Sequence, residues 1–433
     1  MVILLAVVLA VLAAVPCGAG EPLAVPLDGE PFSARLISVD ADWNAVFACT
    51  GGEKSSGSKR TIAAGELAWW GVCRESARGP LLLLADGGLL AADLTAADKD
   101  RLTAESDLLG TLKLPLEALA GVVLRLPADR AQRDALLERV ARASGESDRI
   151  LLDNGDEVTG LLEAIRDGKA RIRAESGPPD VPLRQCVAIV LNPGLRQKPA
   201  AAARSAWVGL SDGGRLLVTR MVAAGPGEKG TQEKRGQSPT KLRSAPVGTG
   251  QDVLSKGDSP LFSMTAAAGP TCNVDPKDVV FLQPLGGRAV YLSDLKPERD
   301  RQQPYLDLPD LPWPYHADRN VTGGLLRSGG RLWLKGLGVH SAATLTYALD
   351  GPYRRFQAEL GIDDSTGGRG SVIFRVLLDG QAKYTSGPIR GGMAPVPVSI
   401  DLSAAKRLEL VVDYGERADV LGHADWLNAR LVK

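Results

Sequence analysis

The chain has 433 residues, 44% of them hydrophobic and 24% charged, which is long enough to bury two or more cores. Its 51 Lys and Arg residues balance 51 Asp and Glu residues. This balance argues against a broad charged surface for nucleic acid or for an anionic membrane, so no nucleic-acid partner is predicted and any binding site is expected to be local.

The chain starts with an apolar segment, residues 1–19, which ends at Pro16 and a run of small residues. This pattern is typical of a signal peptide, so a secreted, periplasmic or cell-envelope protein with no membrane span after signal removal is predicted. Two alternatives stay open. The segment could remain as an anchor helix, although it is slightly short for a bilayer that needs about 20 residues, or Cys17 could carry a lipid.

The cysteines that follow the signal are scattered and show no metal-ligand spacing. Cys49 and Cys73 close a loop between strands expected to be neighbours, so this pair is the favoured disulfide. Free thiols at all four positions, which include Cys186 and Cys272, are the alternative.

A short pattern recurs through the first two thirds of the chain. An apolar residue is followed by Asp-Gly or Asn-Gly and then by an apolar strand, with the glycines at Gly29, Gly87, Gly155 and Gly213. Asx-Gly supplies the positive φ angles of a tight hairpin turn. The copies predict two small β-units in residues 20–125, a helical linker in 126–148, a third unit in 149–200, and a fourth in 201–285 with a disordered insertion at 225–258.

The third unit alternates strands and turns in an order that resembles SH3-like or Sm-like small barrels. This resemblance is one of architecture, and no activity follows from it. Helical periodicity is strongest in Ala128 to Ala143, where Leu136, Leu137 and Val140 form an apolar stripe.

Residues 286–433 change character, with a proline-rich segment followed by short strands between Gly, Pro and Asp residues. Seven such strands predict an antiparallel β-sandwich. Their ranges are 331–334, 343–349, 355–362, 371–377, 396–402, 408–412 and 426–432. The fold class predicted for the whole chain is therefore mainly β, with tandem small β-barrel-like units followed by this sandwich.

Several motifs in this last segment carry a family resemblance. They are YLSDL at Tyr291, KGLGVHSAATLTYALDG from Lys335, FQAELGIDDSTGGRGSVIFRVLLDG from Phe356, LELVVDYG from Leu408 and HADWLNARL from His423. Together they resemble the NPCBM family of carbohydrate-binding modules. The resemblance implies a jelly-roll sandwich of the galactose-binding-like fold and a glycan or polysaccharide as the partner.

A glycan site needs an aromatic face to stack on a sugar ring, and imidazoles or carboxylates to hydrogen-bond its hydroxyls. All three histidines of the chain lie in this segment. The predicted carbohydrate-binding residues are Trp313, His316, Asp318, His340, Asp363, Asp364, His423, Asp425 and Trp426.

Each of these assignments has a structural alternative. Trp426 could be core between the sheets, and His340 could fasten its strand from inside the fold. Asp363 and Asp364 could shape a turn or, because calcium is common in this fold by resemblance, bind a structural Ca²⁺ together with Asp294, Asp318 and Asp425. No other cofactor is predicted.

No catalytic motif stands out. The glycines mark turns and not phosphate loops, and neither GxSxG nor HExxH occurs. The sequence therefore predicts a non-catalytic carbohydrate-binding protein. The alternatives are a structural protein that joins envelope proteins without binding sugar, and a hydrolase with an unrecognised N-terminal catalytic region.

Overall fold

The computed structural model describes residues 21–50, 57–174, 180–197, 199, 202–224, 261–303, 305, 313–402 and 405–433. The predicted signal peptide and the predicted insertion at 225–258 lie outside these residues. In the described part the chain is mainly β, as the sequence predicts, with antiparallel sheets and one α-helix. No helix of this part combines the length and the apolar character that crossing a bilayer would require.

Four small β-units follow one another in the N-terminal part. The strands of unit 1 are β1 (Leu23–Pro26), β2 (Phe32–Val39), β3 (Asn44–Cys49), β4 (Lys59–Ala63) and β5 (Leu67–Gly71). Those of unit 2 are β6 (Leu81–Leu84), β7 (Leu89–Ala91), β8 (Asp93–Ala97), β9 (Arg101–Ser106), β10 (Gly110–Pro115) and β11 (Leu119–Val123).

Units 3 and 4 repeat the same order of strands. Unit 3 contains β12 (Asp148–Leu152), β13 (Glu157–Arg166), β14 (Lys169–Arg173), β15 (Asp180–Pro182) and β16 (Cys186–Val190). Unit 4 contains β17 (Ser205–Leu210), β18 (Arg215–Ala224), β19 (Leu261–Ala266), β20 (Thr271–Val274) and β21 (Val279–Leu285). A 3₁₀ turn precedes the last strand of every unit: Ala64–Glu66, Leu116–Ala118, Leu183–Gln185 and Pro276–Asp278.

The first hairpin of each unit turns on the glycine of the repeated pattern. Gly29, Gly87, Gly155 and Gly213 all have positive φ, between 87° and 94°, which only glycine adopts without strain. Within each unit the first strand pairs with the last, as in Ala24 with Trp70 of unit 1. The remaining closures are β6 with β11, β12 with β16, and β17 with β21. Each unit is thereby closed on itself.

The last strands also join the units in pairs. Strand β11 of unit 2 pairs with β16 of unit 3, with Gly121 opposite Val190. Strand β5 of unit 1 pairs with β21 of unit 4, with Gly71 opposite Phe281. Helix α1 (Arg130–Ala141) lies between units 2 and 3 and is capped by Asp129, whose side chain accepts from the Gln132 amide. We call the four units, the segments that connect them and this helix the platform.

The C-terminal part is a sandwich of two six-stranded sheets. One sheet holds β22 (Ala289–Tyr291), β24 (His316–Ala317), β27 (Gly336–His340), β29 (Arg355–Ile362), β33 (Val396–Asp401) and β35 (His423–Val432). The other holds β23 (Arg299–Gln302), β28 (Ala343–Ala348), β30 (Ser371–Leu378), β31 (Gln381–Thr385), β32 (Ile389–Arg390) and β34 (Arg407–Tyr414). A separate hairpin is formed by β25 (Leu326–Ser328) and β26 (Arg331–Trp333), and 3₁₀ turns lie at Pro193–Leu195, Leu292–Asp294 and Asp364–Thr366.

Alternating apolar residues of both sheets meet in the sandwich core. Its centre is Trp426, which is 0% exposed and meets Phe374 edge-on at a ring distance of 4.9 Å. The last strand starts at His423, three positions before the predicted start at Trp426. The reason is that residues 423–425 continue the pairing with β27, which a reading by apolar content alone does not detect.

The interface between the sandwich and the platform contains an apolar cluster that is separate from the core of either part. Trp69 and Phe281 of the platform lie with Leu332 and Val432 of the sandwich in this cluster, and Trp69 meets Trp333 edge-on at 6.1 Å. Buried polar groups reinforce the contact, because the amide of Gln283 donates to Asn428 Oδ1 at 2.8 Å. The two parts therefore share a buried interface.

The favoured disulfide is wrong for this structure. Cys49, Cys73, Cys186 and Cys272 are all free thiols. Cys49 ends β3, whose neighbours are β2 and β4. Cys73 lies beyond β5, and its backbone forms an isolated antiparallel β-bridge with Leu332 of the sandwich. The two cysteines are thus not on neighbouring strands, and burial raises the Cys73 pKa to about 11, so it stays a thiol.

Candidate functional site

The candidate site lies where strands of the first sandwich sheet end. Strand β27 ends at His340 and β35 starts at His423, and these two histidines are direct cross-strand partners. Opposite residues of antiparallel strands bring their side chains close together. Pairing in the sheet therefore joins two imidazoles that are far apart in the sequence.

Trp313 completes an aromatic cluster with these histidines. Its ring stacks on His340 at a centroid distance of 4.8 Å and an interplanar angle of 18°, and it lies 6.1 Å from His423. The two imidazoles are 5.6 Å apart. The backbone amide of Trp313 donates to Gln302 Oε1 at 2.6 Å, which fixes the segment that carries the indole. We call Trp313, His340 and His423 the aromatic cluster.

The imidazole nitrogens of the cluster differ in their partners. His340 Nδ1 lies 2.8 Å from the Ser341 carbonyl oxygen and must carry a proton, because a carbonyl only accepts. His423 Nδ1 is buried and has no hydrogen-bond partner in the described residues. Burial and the neighbouring His340 lower the pKa of His423, which favours the neutral ring. A neutral ring can donate and accept at the same time, as sugar hydroxyls require.

Two predicted acids lie beneath the cluster and are buried. Asp425 is 0% exposed, and burial together with Asp363 raises its pKa well above the usual value, which favours its protonated form. Asp363 is 1% exposed and accepts from Asn320 Nδ2 at 3.0 Å, from the Arg327 amide at 3.1 Å and from the Ser365 amide at 3.0 Å. Neither acid faces solvent, and only Asp363 has hydrogen-bond donors around it in the described residues.

Asp364 and Asp318 are also held by the protein itself. Asp364 accepts from the amides of Gly329 and Gly330 at 3.1 and 2.9 Å, which is the turn role left open by the sequence. Asp318 is bound by Lys335, whose Nζ lies 2.7 Å from one of its oxygens and 2.6 Å from Asp294.

The remaining two predicted residues are not part of the aromatic cluster, although His316 pairs with Gly338, two residues before His340. His316 is on β24, and its pKa is lowered by burial and by Arg142, with an opposing effect of Glu138; these two charges belong to the platform helix region. Trp426 lies fully inside the core, so no sugar can stack on its ring in this structure. A stacking role for Trp426 is therefore wrong here, because its ring points into the core and packs against Phe374 of the facing sheet.

A metal site is not apparent in the described part of the chain, where no three His, Cys, Asp or Glu side chains are grouped to hold an ion. The carboxylates predicted for calcium are divided between Lys335, which binds Asp294 and Asp318, and backbone amides, which bind Asp363 and Asp364. These acids do not converge as calcium ligands would. Structural calcium stays a prediction.

The sequence missed a second aromatic pair at the same end of the sandwich. Tyr305 is 59% exposed and meets Tyr414 edge-on at 5.4 Å, and Tyr414 Oη donates to the Gln303 carbonyl at 2.5 Å. Gln303 directly follows Gln302, which holds Trp313. The only sequence signal was the Tyr-Gly that ends the LELVVDYG motif.

A cavity of about 60 Å³ lies elsewhere, between the platform and the sandwich, and is lined in part by Arg215 and Arg319. Pockets for small organic ligands have volumes on the order of 300 Å³ or more, so it is too small for a sugar ring. The half-buried indole of Trp313 at the loop end is the better candidate, because sugar-binding surfaces are shallow.

Comparison with known families identifies the sandwich. Residues 288–432 match the NPCBM/NEW2 domain. This segment is thus an NPCBM/NEW2 domain, and the resemblance carried by the sequence motifs is confirmed. The rest of the chain lies outside the matched region.

Two curated relatives are similar over part of the chain. A protein of Renibacterium salmoninarum named for an endo-alpha-N-acetylgalactosaminidase is 30% identical over 167 residues, which are 35% of this chain and 11% of that protein. The alpha-1,3-galactosidase B of Akkermansia muciniphila is 31% identical over 115 residues, which are 26% of this chain and 14% of that protein. The match thus spans only a small part of either relative.

Among solved structures, a CBM51 module of Clostridium perfringens in complex with methyl-galactose is 24% identical. The alignment covers 33% of this chain and 99% of the module, with a TM-score of 0.30.

Proposed function

We propose that this protein is an exported, non-catalytic glycan-binding protein and that its NPCBM/NEW2 domain binds the sugar at the aromatic cluster. The observation that carries the proposal is the stacking of Trp313 on His340, with His423 beside them. A half-buried indole can pack against a sugar ring, while imidazole nitrogens bind its hydroxyls. The domain family, and the methyl-galactose bound by the CBM51 module, support this proposal.

The non-catalytic part of the proposal rests on the acids. Glycoside hydrolysis needs two carboxyl groups that face each other across the substrate. Next to the cluster, Asp363 and Asp425 are both buried: Asp363 accepts hydrogen bonds from the protein itself, and burial favours the protonated form of Asp425. The curated relatives carry the names of glycosidases, and turnover of chromogenic glycosides by the full chain would contradict this part.

Export is proposed from the apolar segment 1–19. The mass of the mature protein tests it, because a cleaved signal removes this segment. An intact N-terminus would favour the anchor alternative.

The first prediction concerns Trp313. A glycan array probed with the full chain should show defined sugar ligands, and Trp313→Ala should weaken binding to them by about two- to tenfold, because an aromatic stacking contact contributes about 0.5–1.5 kcal/mol. Repeating the array with a chelator tests the calcium prediction.

His316→Ala removes the third predicted imidazole, which lies on β24 and is not part of the aromatic cluster; unchanged binding would confine the site to the cluster, and weaker binding would extend the site to β24. His423→Ala should behave like Trp313→Ala. An array without any hit, combined with capture of envelope proteins by the full chain, would replace glycan binding by the protein-interaction alternative.

A further inference from the structure

The hairpin β25–β26 belongs to the sandwich but is held by the platform. The Arg327 side chain is 8% exposed and lies between two platform acids. Its Nε and Nη2 atoms donate to the two Glu75 oxygens, both at 2.7 Å. Its Nη1 and Nη2 atoms donate to the two Asp134 oxygens at 2.5 and 2.8 Å. Such two-pronged contacts fix a guanidinium in position as well as in charge.

The backbone of the same residue reaches the floor of the aromatic cluster. The Arg327 amide donates to Asp363 Oδ2 at 3.1 Å. The Asp363 amide in turn donates to the carbonyl oxygen of His423 at 3.0 Å. Arg327 and Asp363 therefore connect the platform acids to the backbone of His423, which carries one imidazole of the candidate site.

This connection is sensitive to small movements. Asp363 is 1% exposed, so its oxygens depend on the few donors around it. Asp364 ties the turn of the same hairpin through Gly329 and Gly330. A shift of the hairpin would remove donors from both acids at once, directly beside the start of β35 at His423. Binding sites lose affinity when their supporting contacts are displaced by about 1 Å.

We propose that Arg327 is a positioning residue, and that the platform keeps the glycan site in its binding geometry through the contacts of Arg327 with Glu75 and Asp134. The inference rests on the proposed glycan function. It assigns the platform a role that its own sequence does not reveal. The sandwich then binds sugar best when it is docked on the platform.

The test compares two ways of weakening the interface in the full chain. The double variant Glu75→Gln with Asp134→Asn removes the charges that hold Arg327, and Arg327→Lys keeps a charge but loses the fork. The control is Asp28→Asn, which breaks the contacts of Asp28 with Arg288 and Arg355 at another part of the same interface. The probes are methyl-galactose and the strongest sugar of the array.

We expect both Arg327-directed changes to weaken sugar binding at least fivefold, and Asp28→Asn to leave it unchanged. A second readout is independent of sugar. The chain has three histidines, so the side-chain NMR signals of ¹⁵N-labelled histidine are few enough to assign. The single variant Glu75→Gln, which keeps the Asp134 contact and is the safer one to fold, should shift the signal of His423 while Asp28→Asn does not.

The outcomes separate the two proposals. A wild-type chain that binds no sugar overturns the proposed function and, with it, the inference. A wild-type chain that binds sugar, with folded variants that bind equally well and an unmoved His423 signal, overturns the inference alone. Equal loss of affinity in Asp28→Asn would mean that docking in general, and not Arg327, supports the site.

Discussion

At the scale of single residues, environment decides what an identical side chain does. Trp313 and Trp426 lie in the same domain, yet one is a half-buried ring stacked on an imidazole and the other is 0% exposed. The acids differ as well, because Asp318 forms an ion pair with Lys335, whereas Asp425 is buried on strand β35 in the first sandwich sheet. Function at this scale depends on burial and partners, which residue type alone does not determine.

Asp425 gives a prediction for pH. Its pKa is raised in the folded chain by burial and by Asp363, so the folded state binds a proton more tightly than the unfolded state. The contribution of Asp425 to stability is therefore complete below its unfolded pKa, near 3.9, and is lost as the pH rises toward the folded pKa.

Asp425→Asn removes this ionisation while keeping the size of the side chain. The variant should be at least as stable as the wild type at pH 7, and its advantage should shrink as the pH falls toward and below about 4, because Asp425 then becomes protonated in the unfolded state as well. Urea unfolding at several pH values measures the difference. An advantage that is constant over this range would mean that the pKa of Asp425 is not raised on folding.

At the scale of elements, the same strand both closes a unit and joins it to another. Strand β11 pairs with β6 of its own unit and with β16 of unit 3. Where β11, β16 and helix α1 meet, this double pairing leaves no room for a side chain at Gly121. A Cβ atom on Gly121 would lie 2.3 Å from the Ile189 carbonyl oxygen and 2.7 Å from the Val140 side chain of helix α1.

Gly121→Ala should therefore destabilise the platform. Forcing a methyl group into packed backbone costs about 1–3 kcal/mol, and thermal unfolding should show a lowered midpoint. The control is Gly387→Ala, at an exposed glycine whose added Cβ would meet nothing within 4 Å and whose φ is not positive. Equal midpoints for the two variants would contradict the assigned contact between units 2 and 3.

At the scale of the whole molecule, the interface links the stability of the sandwich to that of the platform. Trp69 is 4% exposed and packs against Trp333, with the Arg331 guanidinium 5.0 Å from its ring centre. Removing a buried tryptophan costs about 3–5 kcal/mol. The interface is therefore expected to couple the unfolding of the sandwich to that of the platform.

Trp69→Ala should uncouple the two parts. Calorimetry of the wild type should give one main transition, and the variant should give two, with the histidine signals following the transition of the sandwich because all three histidines lie there. Trp426→Ala serves as a control, since it lowers the stability of the sandwich core without touching Trp69. One unsplit transition in Trp69→Ala would show that other contacts suffice for coupling.

The sequence alone determined the features that depend on local pattern. Asx-Gly turns at Gly29, Gly87, Gly155 and Gly213 mark hairpins because few other residues adopt positive φ. The motifs around GLGVH and HADW identified the domain family, since they are contiguous in the chain. Helix α1 followed from its apolar stripe, with ends that differ by about two residues.

Which side chains meet depends on the three-dimensional fold. His340 and His423 become neighbours through pairing between distant strands, and Trp313 reaches them from a third segment. The contact of Arg327 with Glu75 and Asp134 joins residues of separate domains. A disulfide between Cys49 and Cys73 looked plausible in sequence and is absent in space. Local patterns record backbone preferences, whereas sites arise from contacts at long range, and those are set by how whole strands pair and pack.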